Sequence, residues 1–315
     1  MNRFEKLFEE LPEDIDCALI TSDVNRRYFT GMKSSDGTVL AVRGKAYLLI
    51  DFRYIEKARA TVTAAEVIEQ KKLYPQLSEL LKENGVRNMA IEAQSMTVSQ
   101  CNVLKRVLKD VEIIDTDVLS NAINAIRSVK DDQELEYIRK AQEIAENAFD
   151  QILKFIKVGV TEREIALELD HLMLTGGAEA LSFETIALSG ENTSMPHGVP
   201  SDRKVEDGDF VLMDFGAVYK GYHSDMTRTV CVGKPTEEMD KVYNIVLEAQ
   251  MAALNAAHAG MTGQALDSIA RGVIEDAGYG DNFGHSLGHG VGMEIHEKPN
   301  ASPNYKLPLE KGAVV

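Results

Sequence analysis

The chain has 315 residues, 44% of them hydrophobic, which is ample for a buried core and long enough to suggest two domains rather than one. Its 50 acidic residues against 34 basic ones give a formal net charge of -16, which repels phosphate backbones and anionic bilayers and argues against nucleic acid or membrane as a partner. Three widely spaced cysteines (Cys17, Cys101, Cys231), acids throughout the opening MNRFEKLFEELPEDID, and no run near the roughly 18 apolar residues of a membrane helix argue against a disulfide framework, a signal peptide and a membrane span, and point to a soluble cytoplasmic protein.

From Ala18 onward, short apolar runs alternate with helical patterns. CALITS, TVLAVRG, AYLLIDF and MAIEA are short, apolar and bounded by Gly, Asp or Asn, and read as strands. RYIEKARA and LYPQLSELLKENG read as helices between them, the second stopping at Gly85. Interleaved strands and helices define an α/β domain that ends near Asp117, so the expected division is an N-terminal domain over 1–120 and a second domain over 121–315. A long helix opens at Asp131-Asp132-Gln133-Glu134, with acids in its first turn favourable to the helix dipole. Its apolar positions Leu135, Ile138, Ala141, Ile144, Ala145, Ala148 and Ile152 recur at three and four and form one face. A further helix begins at Thr161, with Glu162 and Glu164 in its first turn. From Ser182 the composition turns to Gly, Thr, Ser and β-branched residues, which suggests strands and loops; two more helices run through EEMDKVYNIVLEAQMAALNAA and GQALDSIARGVIEDAG.

The most informative stretch runs from Gly208 to Gly233, where two β-rich segments flank a two-residue Lys220-Gly221 connection and suggest a hairpin. If Tyr219 faces Tyr222 across the turn, then Gly216 faces Asp225 and Asp214 faces Thr227, and period-two alternation puts all four on one face. Asp214 and Asp225 become diagonal neighbours, with Gly216 leaving open space in front of Asp225; a slip of one residue removes the coincidence. Val211, Met213, Phe215 and Val230 surround the carboxylates, so this face is expected to be at least half buried. Buried like charges side by side need a cation or a proton between them. A hard divalent cation is one solution, since carboxylates suit magnesium, manganese or a mixed oxygen and nitrogen site for zinc or iron. Thr227 would then hydrogen-bond a ligating carboxylate. A surface hairpin whose acids are solvated or paired with Lys and Arg fits the same spacing, and the hairpin alone leaves both readings open.

Histidines supply the second signal. His285, His289 and His296 fall in FGHSLGHGVGMEIHEKP, whose glycines at 284, 288, 290 and 292 argue against a helix and for backbone in close, unusual conformations. His285 and His289 are four apart, but Ser286 stands where an HExxH zinc motif requires Glu. His197, in the loop Ser194-Met-Pro-His197-Gly198, is by itself an ordinary loop imidazole.

Taken together, MDFGAVYKGYHSDMTRT, the loop MPHG and GHSLGHGVGMEIHEKP resemble, in order, the motifs of the Xaa-Pro peptidases, the family of aminopeptidase P and prolidase. ALITSDVNRRYFTGMKSSDGTVL with LLIDFRYIEKA is similar to that family's extra N-terminal domain, so the resemblance spans essentially the whole chain. It implies an α/β (α+β) protein in which a creatinase/prolidase-type N-terminal domain precedes a pita-bread catalytic domain. It implies that Asp214, Asp225 and His289 are metal ligands, with Asp225 bridging two divalent ions, manganese first and cobalt or zinc as substitutes. His197 and His296 would not ligate; they would hold the substrate carbonyl and developing oxyanion or pass protons. The implied substrate is a peptide with proline at its second position, and the implied assembly is a homodimer. The family's two remaining ligands are glutamates in TIEPG-like and RIED-like strands, whereas this chain ends KGAVV315 where the first would begin. The resemblance thus implies a chain lacking its C-terminal segment, holding one metal or none and poorly active. No Arg follows Glu297, which favours an aminopeptidase over a dipeptidase that must hold a free carboxylate. The competing reading is a non-catalytic peptide-binding pseudoenzyme of the same fold; such proteins usually lose the aspartates and histidine retained here.

Overall fold

The computed structural model describes residues 2–315, and the chain divides into two compact units, Met1–Arg127 and Ser128–Val315. The first unit contains helices α1 (Arg3–Glu10), α2 (Asp23–Thr30), α3 (Ile55–Thr61), α4 (Leu73–Glu83), α5 (Val98–Val107) and all but the last residue of α6 (Val118–Ser128). Its strands are β1 (Cys17–Ile20), β2 (Thr38–Val42), β3 (Lys45–Ile50), β4 (Glu66–Glu69), β5 (Asn88–Ile91) and β6 (Glu112–Ile114), joined in one sheet of order β4-β3-β2-β1-β5-β6. Strands β1 and β2 lie in the middle and are buried along their whole length, which is why CALI and TVLAV show no polar alternation. Leu77, Leu80 and Leu81 of α4 and Leu104 of α5 pack with Leu19, Leu40, Leu49 and Met89 of the sheet. The four strands and two helices expected from the sequence are present. Unforeseen β4 and β6 are the sheet's edges: EVIE is framed by glutamates and EII is only three residues long. Short or charged edges resist further pairing and carry too little apolar pattern to stand out.

The second unit opens with α7 (Asp132–Ile152), whose Asp131 and Glu134 form a reciprocal capping box, and continues with α8 (Glu162–Thr175), started in the same way by Thr161 and Glu164. Strands follow at β7 (Ala180–Leu181), β8 (Ile186–Ser189), β9 (Phe210–Phe215), β10 (Ala217–Tyr219), β11 (Tyr222–His223) and β12 (Met226–Cys231). They form two small sheets, β12-β9-β8 and β11-β10-β7. Ile144, Ala148 and Ile152 of α7 and Ile165 and Leu169 of α8 share a core with Ala187, Val211, Met213 and Phe215 of the strands. At the start of α7, Leu135 and Ile138 are only partly buried. Helices α9 (Glu237–Ala256) and α10 (Gly263–Asp276) form a second core with Ala301 of β14 (Glu297–Ala301), which runs antiparallel to β13 (Gly288–Gly290).

The hairpin has the expected register: Tyr219 pairs with Tyr222, Phe215 with Met226, and Asp214 with Thr227. Lys220 at φ 52° and Gly221 at φ 88° supply the two positive φ values of a type I′ turn. Two expectations are corrected. Gly216 does not leave open space before Asp225, because a Cβ there would lie 2.0 Å from the carbonyl oxygen of Ser224; the glycine admits the crossing strand. Nor do Val211, Met213, Phe215 and Val230 surround the carboxylates. They turn to the core under α7 and α8, while Asp214 and Thr227, one residue out of phase, take the opposite face.

Candidate active site

Asp214 stands in β9 and Thr227 opposite it in β12, where the Thr227 hydroxyl donates to Asp214 Oδ1 at 2.8 Å. Asp225 lies between β11 and β12, where the chain passes from one small sheet to the other. From β13, His289 brings Nε2 to 3.4 Å from Asp225 Oδ2. His296, just before β14, packs its ring at 4.2 Å between centroids against that of His289 in an edge-on arrangement. His197 sits in an exposed loop, near enough for its charge to act on Asp214. The folded chain therefore gathers Asp214, Asp225, Thr227, His289 and His296, with His197 at electrostatic range.

Burial raises the Asp214 carboxyl above the ordinary aspartate range; the Thr227 hydrogen bond pulls it back in part, and the neighbouring charge of Asp225 pushes it up again. His289 is raised above the ordinary imidazole range, chiefly by its bond to Asp225. Two carboxylates, one of them raised by burial and by the charge of the other, beside an imidazole that the second holds, make a donor set suited to a divalent cation. Among the described residues, however, no three His, Cys, Asp or Glu side chains converge closely enough to hold a metal ion. The residues thus fit in chemical type, and the arrangement brings Asp225 and His289 within ion-pair distance without completing a three-donor cluster. Beside Asp225 opens a cavity of about 440 Å3, lined by Ile138, Gln142, Ser224, Val291 and Val314 among others.

Further groups, some within the motifs and some outside them, hold this arrangement. Glu297, next to His296, pairs with Lys130 at 2.8 Å, and both side chains are buried. The nearly inaccessible Asp267 of α10 accepts from Arg271 and from the backbone N–H of Leu287, and Arg271 donates to the carbonyls of Phe283 and His285. That bracket pins the glycine-rich approach to β13, and an Asp–Arg pair four apart on a helix was its one local signal. His285 itself bonds locally to the Ser286 carbonyl and stacks edge-on against Phe283.

The fold defines a class first: an α/β domain of creatinase type followed by a pita-bread domain carrying paired aspartates and a histidine. Residues 1–129 match the creatinase/prolidase N-terminal domain and residues 136–315 match metallopeptidase family M24, and the chain belongs to that family. It is 40% identical over 316 residues to the Xaa-Pro dipeptidase of Pyrococcus furiosus, spanning 99% of this chain and 88% of the relative. The structure of Xaa-Pro dipeptidase from Bacillus anthracis superimposes with a TM-score of 0.94 at 39% identity, covering 98% of this chain and 87% of that one. X-Pro aminopeptidase from Thermotoga maritima gives 0.91 at 37% identity, covering 99% and 88%. The protein is accordingly a metallopeptidase, and family membership implies divalent metal ions. Among the described residues no helix is long and apolar enough to cross a membrane, and Cys17, Cys101 and Cys231 are free thiols.

Proposed function

We propose that this chain hydrolyses the peptide bond between an N-terminal residue and proline, acting as an Xaa-Pro dipeptidase. The observation that carries the reading is the meeting of Asp214, Asp225 and His289 from three separate segments, two carboxylates and an imidazole with no other evident reason to share a half-buried site. The retained trio supports an enzyme over a peptide-binding pseudoenzyme. The dipeptidase reading draws on the Pyrococcus and Bacillus proteins named above, and it displaces the preference for an aminopeptidase that the lack of an Arg after Glu297 suggests. The Thermotoga structure supports the aminopeptidase as the second reading.

Asp214, Asp225 and His289 would hold the divalent ions, manganese for preference and cobalt or zinc as substitutes. Such ions supply Lewis acidity, making water acidic enough to attack at neutral pH and stabilising negative charge. Thr227 fixes one oxygen of Asp214 and so aims the other. His296, stacked on His289, and His197, on its loop, face the substrate and steady the carbonyl oxygen as it gains charge, or carry protons. A cytoplasmic homodimer completes the reading; the three free thiols support a reducing compartment.

The test is metal content and hydrolysis of an Xaa-Pro dipeptide and an Xaa-Pro-Xaa tripeptide by the purified chain supplied with manganese, cobalt or zinc. Turnover of the dipeptide alone supports the dipeptidase, and turnover of the tripeptide supports the second reading. Asp225→Ala should abolish metal uptake; retained stoichiometry would remove Asp225 from the ligand set.

A further inference from the structure

We infer that Glu162 is the positioning residue for His197, holding the histidine's loop in its working shape from beneath. The inference rests on the reading of His197 as substrate-facing.

Glu162 is the first residue of α8, and its side chain is completely buried. A buried carboxylate is costly unless its charge is met by hydrogen bonds. Here Oε1 accepts from Ser189 N at 2.7 Å, Ser189 Oγ at 3.1 Å and Asn192 Nδ2 at 3.0 Å, while Oε2 accepts from Ser201 N at 3.0 Å and Ser201 Oγ at 2.6 Å. Each oxygen therefore grips one end of a single loop: Ser189 is the last residue of β8, Ser201 lies where the chain returns, and His197 is on the span between. The grip reaches His197 through the backbone. Asn192, held by its side chain, accepts from Met195 N at 3.0 Å, and Met195 accepts from Gly198 N at 3.1 Å, closing the turn that contains His197. Arg203 reinforces the near end by donating to Ser189 Oγ at 2.7 Å while paired with Asp209.

Starting α8 does not require this carboxylate. Thr161 and Glu164 already form a complete capping box there, so the helix N-terminus is satisfied without Glu162. What the carboxylate joins, with Arg203 beside it, is the two ends of the loop.

A double-mutant cycle on the metal-loaded 315-residue chain, with an Xaa-Pro dipeptide as substrate, tests the inference. Glu162→Gln should lower kcat about tenfold with KM and metal content held, the cost of a misplaced group. In a His197→Ala background the same change should cost less than about twofold, since residues acting as a unit are not additive. Independently of turnover, Glu162→Gln should speed hydrogen exchange at the amides of residues 192–198 while leaving those of the α7 core unchanged. Equal costs of Glu162→Gln with and without His197 would overturn the inference and leave the role of His197 intact. A silent His197→Ala would overturn that role and the inference with it. Should Glu162→Gln fail to fold, Ser201→Ala removes one donor and keeps the carboxylate; a loss of roughly threefold that vanishes without His197 supports the inference, and a loss that persists overturns it.

Discussion

Asp214 and Thr227 show how much one hydroxyl can decide. The 2.8 Å bond between them occupies one carboxylate oxygen and sets the plane in which the other points. Partners of this kind contribute to metal affinity without touching the metal, so Thr227→Val should weaken manganese binding by about 10- to 100-fold in a calorimetric titration. Unchanged affinity would remove Thr227 from the site. On the proposed reading His296 serves the substrate side, so His296→Ala should cost about 10²-fold in kcat at full metal content, as expected when one partner of a developing oxyanion is lost. Metal lost in parallel would instead make His296 a ligand. The placement of Asp214 opposite Thr227 was legible in the sequence because a two-residue turn and a period of two are local rules, whereas Asp225 lies between strands, where those rules do not reach. Glu162 was legible only as a first-turn acid, since every donor that buries it lies 27 to 39 residues downstream.

Among the elements, the hairpin depends on one close approach. A methyl group at Gly216 would sit 2.0 Å from the Ser224 carbonyl oxygen, so Gly216→Ala should destabilise the protein by about 1–3 kcal/mol through forced backbone movement, seen as a lowered thermal midpoint. The loop under Glu162 should respond to acid. Burial raises the Glu162 carboxyl, but the hydrogen bonds from Ser201, Asn192 and Ser189 outweigh burial and hold it below the ordinary glutamate range. A depressed carboxylate contributes stability that is complete above the unfolded-state value and is lost as pH falls through the folded-state one. Denaturant midpoints should therefore drop through and below the ordinary glutamate range, and Glu162→Gln should flatten that drop; an equal slope in the variant would contradict the shift. Helices with capping boxes and apolar stripes, α7 and α8 above all, announced themselves in the sequence. The edges β4 and β6 did not, because an edge strand is selected to look unlike a strand. The orientation of Val211, Met213 and Phe215 was misjudged for a different reason: apolar neighbours in sequence are, in a strand, neighbours of the opposite face.

For the molecule as a whole, each unit has sheets and cores of its own: a six-stranded sheet with its core in the first, several small sheets and two core clusters in the second. A fragment of residues 1–129 should therefore fold alone and melt in one cooperative transition followed by circular dichroism, as domains of this size do. A fragment without such a transition would show that the first core is insufficient by itself. The turn at Lys220 and Gly221 has a longer reach than its size suggests. Because the strands beyond it place Asp214 and Thr227 by counting residues from the turn, adding a single residue on either arm would send one of them through the sheet to the apolar side. In a library of insertions around this turn, survivors should carry additions that keep parity, so that the backbone enforces a reading frame of two on a gene that is written in threes.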